Sequence, residues 1–236
     1  MEQTDDEWSR QLTRQIGQRV AYFRERAPGR MTAQGLADRC AALGHPLDRS
    51  VIAKLERGHR NTITVPDLLA LAKALGVPPV LLVLPLGREL EADALPGQRR
   101  PTWELVKWFG GRGAFPAPDP DPRPSAGNGT PEDNQAYLAS AVPLLHHDEH
   151  DRLVLDWLWE QGRVDILEEA AAAATTEQER SAHQGRLGDV RRRLGDLERL
   201  IADLRTRMRG DGVLPPRLPV VLATLIGEPA AGADAG

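Results

Sequence analysis

The sequence predicts an all-α protein: a compact domain of five short helices, then a C-terminal helical region that contains a coiled coil. Three observations carry that reading. Apolar residues recur at the helical period through residues 13–86, and Thr or Asp caps and Gly or Pro stops punctuate them. No alternating strand pattern interrupts that stretch. An unbroken apolar repeat of alternating three and four residues fills 187–208.

Residues 1–12, beginning MEQTDDEW, read as an acidic N-terminal tail. Ile16, Val20 and Phe23 define a first helix to Arg26, ended by Pro28-Gly29. Thr32 caps a second helix carrying Leu36, Ala37 and Cys40, broken at Gly44 and Pro46. Asp48 is the expected cap of a third, in which Val51, Ile52 and Leu55 face inward and Gly58 is the stop. Thr64 and Asp67 make a capping-box variant for a fourth, with Leu68, Leu71, Ala72 and Leu75 as its stripe before Gly76. Pro78 or Pro79 opens a short fifth helix.

Residues 87–135 read as a Pro/Gly-rich linker with one short helix at 101–110, followed by the run PAPDPDPRPSAGNGTP. The helical region at 136–210 includes Trp157 and Trp159, and a capping box at Thr176 and Glu179 opens its last helix. In that helix Leu187, Val190, Leu194, Leu197, Ile201, Leu204 and Met208 form a heptad seam, with Gly185, Gly188 and Gly195 on its outer positions. The seam can pair with a second chain or fold back on the Leu153 to Leu167 segment. Residues 211–236 are a C-terminal segment and tail.

Net charge is −4, yet residues 13–84 hold 11 Lys and Arg against five Asp and Glu, so a basic third sits in an acidic chain. The single cysteine, Cys40, excludes an internal disulfide and is read as a small core residue. The N-terminus lacks a secretory core and the longest uncharged apolar run, Val77 to Leu86, is too short for a bilayer, so the expectation is a cytoplasmic protein with no membrane. No phosphate loop, G-x-S-x-G or credible catalytic set occurs, which argues against an enzyme and against a cofactor. HHDEH at 146–150 satisfies the H-x-x-E-H pattern, but an acidic boundary segment yields such a match easily, and His146 and His150 are read as solvated residues with no metal.

The phrases MTAQGLADRC, SVIAKLERG and TVPDLLALAKALGVPP make the segment from Arg19 to Leu84 resemble the Cro/repressor-type helix-turn-helix regulators, also called the xenobiotic-response-element family. The resemblance implies a five-helix repressor-like fold whose third helix reads base edges through Arg49, Ser50 and Lys54. Those residue types suit guanine acceptors and either base edge. It places Arg57, His59 and Arg60 at phosphates and pairs Arg24 with Glu56 as a structural link. The phosphate-contacting glutamine of the family falls on Ala33, so Thr32 or Gln34 is expected to replace it. The turn through Ala42 to Leu47 is longer than the family's by about three residues.

The resulting expectation is a sequence-specific transcriptional regulator that binds double-stranded DNA through the major groove. Two half-sites require two motifs, so a homodimer on an inverted repeat is expected, held by the seam with Arg193 facing Glu198 of the other chain. The alternative is an antitoxin-like interaction module that uses the same fold and coiled coil to bind a protein. A ligand or protein partner of the C-terminal region is left open.

Overall fold

The computed structural model describes residues 5–118 and 129–228, and the chain forms two compact units, Met1–Leu138 and Ala139–Gly236. Among the described residues it is all-α apart from one small hairpin. The first unit opens with α1 (Asp5–Arg26), α2 (Ala33–Ala42), α3 (Arg49–Glu56), α4 (Val65–Leu75) and α5 (Pro79–Val83). Ile16 and Val20 of α1, Leu36 and Cys40 of α2, Ile52 and Leu55 of α3, and Leu71 of α4 make one buried core with Leu82 of α5. Thr32 and Thr64 accept hydrogen bonds from the amides of Gly35 and Asp67, and α4 ends at Gly76 in the left-handed conformation (φ 71°). Burial pushes the Cys40 thiol up, which keeps it neutral.

Most of the expected acidic tail is helix. Residues from Asp5 onward are the first turns of α1, because Trp8 and Leu12 continue the stripe of Ile16 and Val20 at four-residue spacing. Residues 1–4 lie outside the described residues. Within α1, Gly17 lets the backbone of α3 approach closely: a Cβ there would lie 2.1 Å from the Leu55 carbonyl oxygen. Arg19 is buried and donates to the carbonyls of Leu82 (3.1 Å) and Val83 (2.9 Å), fastening the end of α5. Burial pushes its pKa down to about 10.

The expected linker is partly ordered structure. Strands β1 (Glu91–Leu95) and β2 (Gln98–Pro101) form an antiparallel hairpin across Pro96-Gly97, and α6 (Thr102–Phe109) follows directly. Ala92 of β1 and Leu105 of α6 are buried with Leu84 in a small core that Phe115 covers. Burial of these side chains orders a segment whose composition alone reads as linker. Residues 119–128, most of the proline run, lie outside the described residues. α7 (Pro131–Ser140) begins within the stretch assigned to the linker.

In the second unit α8 (Val142–Ala173) and α9 (Glu177–Gly210) form a long hairpin, and α10 (Val220–Leu225) folds back on it. Thr176 and Glu179 make both hydrogen bonds of a capping box at the start of α9. The seam residues Leu187, Val190, Leu194, Leu197, Ile201, Leu204 and Met208 are all buried, against Leu153, Trp157 and Val164 of α8 and Leu218 and Leu222 beyond α9. The expected pairing of this seam with a second chain is therefore corrected, since its apolar surface is already covered within one chain. Arg193 likewise meets Glu160 (3.0 Å), and Glu198 accepts from the Trp157 indole (3.1 Å), so neither is left for the other. The segment after Gly210 is not all tail: Val213 to Ala223 contribute to this core, while residues 229–236 lie outside the described residues.

Candidate nucleic-acid interface

α3 divides cleanly into two faces. Ile52 and Leu55 are buried and Val51 is half-buried, so the positions between them, Arg49, Ser50 and Lys54, are driven outward and exposed. Among the described residues none of these three side chains makes a hydrogen bond or ion pair. A cleft between α2 and α3 is lined by Gln34, Asp38, Asp48, Arg49, Ser50 and Arg57, which places polar groups of both motif helices on one surface. Asp48 has the extended backbone of a cap, but its carboxylate makes no capping hydrogen bond, which corrects its expected role.

The expected phosphate ligands are placed unevenly. Arg57 is exposed, with Nε donating to the Ala53 carbonyl (3.0 Å), and His59 is exposed. Thr32 spends its oxygen lone pair on the Gly35 amide at the start of α2, which leaves its hydroxyl proton to donate. Gln34 donates to Asp38 (2.7 Å), so its amide is already engaged on the helix surface. Arg60 is half-buried with Nη1 3.3 Å from Asp67, which ties it to the domain rather than presenting it fully to solvent.

Two ion-pair arrangements hold α3 in place. Arg24 grips Glu56 with both arms, Nε to Oε1 at 2.6 Å and Nη2 to Oε2 at 2.9 Å, while its Nη1 donates to the Met31 carbonyl (2.9 Å). The Glu56 hydrogen bond raises the Arg24 pKa. Asp67, buried on α4, meets His45 before α3 (3.0 Å) and Arg60 after it (3.3 Å), and so clamps the loops on both sides of the helix. This clamp is absent from the sequence reading, although a signal for it exists: Asp67 lies on the same stripe as Leu71 and Leu75, and a carboxylate on a buried stripe needs cationic partners.

Burial works against the charge of Asp67, but the hydrogen bonds from His45 and Thr64 and the charge of Arg60 outweigh it and hold its pKa below the usual 3.8. A depressed carboxylate stabilises the fold above its unfolded value, and that contribution is lost as pH falls below 3.8. Asp67→Asn is expected to cost about 2 kcal/mol at neutral pH, since charged hydrogen bonds are lost, and to flatten the acid limb of the first unit's stability. Hydrogen exchange of α3 amides between neutral pH and pH 3 checks both; protection unchanged by the substitution contradicts the clamp.

A buried core, an outward polar face on α3 and bracing on both sides of that helix define a helix-turn-helix unit. Residues 25–82 match the family described as helix-turn-helix, so this segment is a Cro/repressor-type motif and marks a DNA-binding transcriptional regulator. No curated protein and no solved structure matches the chain. Among the described residues no helix is long and apolar enough to cross a membrane, and no group of three or more metal-ligating side chains occurs. His146 lies 3.5 Å from Asp211, and His150 is buried beside Arg205.

Proposed function

We propose that the protein is a sequence-specific regulator that seats α3 in the major groove of an inverted-repeat operator and acts as a homodimer. The observation that supports this most is the unengaged trio Arg49, Ser50 and Lys54, exposed on a helix that Arg24, Glu56 and Asp67 hold rigid from behind. Preorganised donors lose little freedom on meeting base edges, and their types suit guanine O6 and N7. Arg57 lines the same cleft as Arg49 and Ser50, and it serves with the exposed Thr32 and His59 as phosphate contacts; Gln34 and Arg60 would first have to leave Asp38 and Asp67.

Selection of bound sites from a random duplex library, followed by gel-shift titration with the full chain, tests the reading. Lys54→Ala is expected to lower discrimination at one base pair of each half-site by about 1–3 kcal/mol. Arg57→Ala is expected to weaken all sequences alike and reduce the salt slope by about one. Selection that returns no common sequence, or two variants that bind every probe like the parent, would reject the assignment.

A further inference from the structure

The buried seam of α9 leaves open what joins two copies, and α8 carries a second stripe that nothing among the described residues covers. Arg152, Leu155, Trp159, Gly162, Ile166 and Glu169 follow one another at three- and four-residue spacing and are all exposed. Trp159 is 76% exposed, Ile166 66% and Leu155 57%, on a helix whose opposite face buries Leu153, Trp157 and Val164. A large indole held in water beside an open apolar strip is costly unless an interface covers it.

We infer that this strip is the dimer contact, formed with a second copy of the chain running antiparallel across α8; the inference rests on the homodimer reading above. The order of the residues supports that occupant. A twofold axis crossing α8 between Glu160 and Gln161 sets Trp159 of each copy over Gly162 of the other, and Leu155 against Ile166. The same axis sets Arg152 opposite Glu169. Every layer then pairs large with small, apolar with apolar, or positive with negative, as a self-complementary interface requires. The Gly162 site is open, with no heavy atom within 4 Å of where a Cβ would stand, so the indole has room.

The parallel arrangement lacks this match. It stacks Trp159 on Trp159, faces Gly162 with Gly162, and opposes Arg152 to Arg152 and Glu169 to Glu169. Like charges in both end layers select against it. Arg152 now lies 3.9 Å from Asp156 in an exposed pair, which is weak enough to exchange for Glu169 of the other copy.

Sedimentation of the full chain at micromolar concentration, with gel shifts on whole and half operators, tests the contact. The parent is expected to be a dimer, and Trp159→Glu to raise its dissociation constant about thirtyfold or more. Arg152→Glu and Glu169→Arg should each weaken it, and the two together should restore it, a rescue that a merely structural role does not give. Leu155→Cys chains mixed with Ile166→Cys chains should crosslink to each other and not to themselves. Because Trp159 is exposed, the variant should retain the parent's helical circular dichroism; should it not, Ile166→Lys replaces it with the same expected loss.

A monomeric parent overturns the inference, as does self-crosslinking of Leu155→Cys. An undiminished dimer in Trp159→Glu also overturns it while leaving the homodimer reading intact. Half-site binding reports separately on the DNA reading: if it is absent from the parent, that reading fails whatever the sedimentation shows.

Discussion

Gly17→Ala is expected to destabilise the first unit by about 3 kcal/mol and to abolish operator binding, although it adds a single methyl group. The added Cβ would sit 2.1 Å from the Leu55 oxygen and 2.7 Å from the Leu55 carbonyl carbon. Both are backbone atoms of α3, so no side-chain rotation relieves the overlap and α1 must move off α3. Ile16 and Val20 would separate from Ile52 and Leu55, and the Arg24–Glu56 pair would be strained with them. Gly35→Ala is the control: its Cβ would meet the Met31 and Thr32 side chains just before α2 at 3.5 Å, an ordinary contact. There the helix propensity of alanine should stabilise by about 0.5–1 kcal/mol. Thermal unfolding and gel shifts on the two variants should move in opposite directions; a Gly17→Ala protein that melts and binds like the parent would show that α1 and α3 are not packed this closely.

The contrast between these glycines shows where sequence reading loses its grip. Spacing identifies Ile16, Val20, Ile52 and Leu55 as inward-facing, because burial follows the helical period. Spacing says nothing about how near two backbones come, so Gly17 looks like any glycine in a helix. Caps are local, and Thr32, Thr64 and the Thr176–Glu179 box are correspondingly legible. The resemblance in LERG names the Arg24–Glu56 link before any geometry is known, whereas His45 and Arg60 converge on Asp67 from loops that no spacing connects.

The hairpin at 91–101 and the partner of the seam escaped for different reasons. Glu91, Ala92 and Asp93 have poor strand propensity, and what holds the hairpin is tertiary: Ala92 buried against Leu105, with Arg99 reaching Glu91 and Asp93 across the ladder. A heptad seam looks the same whether its partner is another chain or the preceding helix. α8 hides its half of the answer because it carries two apolar faces, Leu153 and Trp157 inward and Leu155 and Trp159 outward, and superposed periods blur one another. The exposed trio on α3 was legible as a face, since the residues between it are apolar, but that its side chains form no ion pair needed coordinates.

Arg205→Met should loosen the second unit by about 3 kcal/mol, because a buried charge is removed and its partners remain. The Arg205 guanidinium lies 3.2 Å from Glu228 and donates to the Pro216 carbonyl (2.7 Å) and to Nε2 of His150 (3.1 Å), so one side chain ties α8, α9 and the returning C-terminal segment together. Glu228 keeps Arg209 at 2.6 Å, whereas His150 and Pro216 lose their donor. Burial and then the charge of Arg205 hold the His150 imidazole below its ordinary 6.5, over the opposing pull of Asp151; His147 adds to the depression. An unfolded chain therefore takes up a proton near 6.5 that the folded chain resists, so this contribution is complete above 6.5 and is lost as pH falls from there toward the folded value. Glu228, depressed chiefly by its hydrogen bond from Arg209 against the cost of burial, adds a second loss only below 4.5. Protection of the α8 and α9 amides, referred to the intrinsic exchange rate at each pH, should thus fall in the parent below pH 6.5, before the carboxylates titrate. Arg205→Met removes one of the two main causes of the depression, so it should exchange faster than the parent at neutral pH yet respond less steeply to mild acid. Exchange that matches the parent at both pH values would mean that Arg205 does not fasten these three segments.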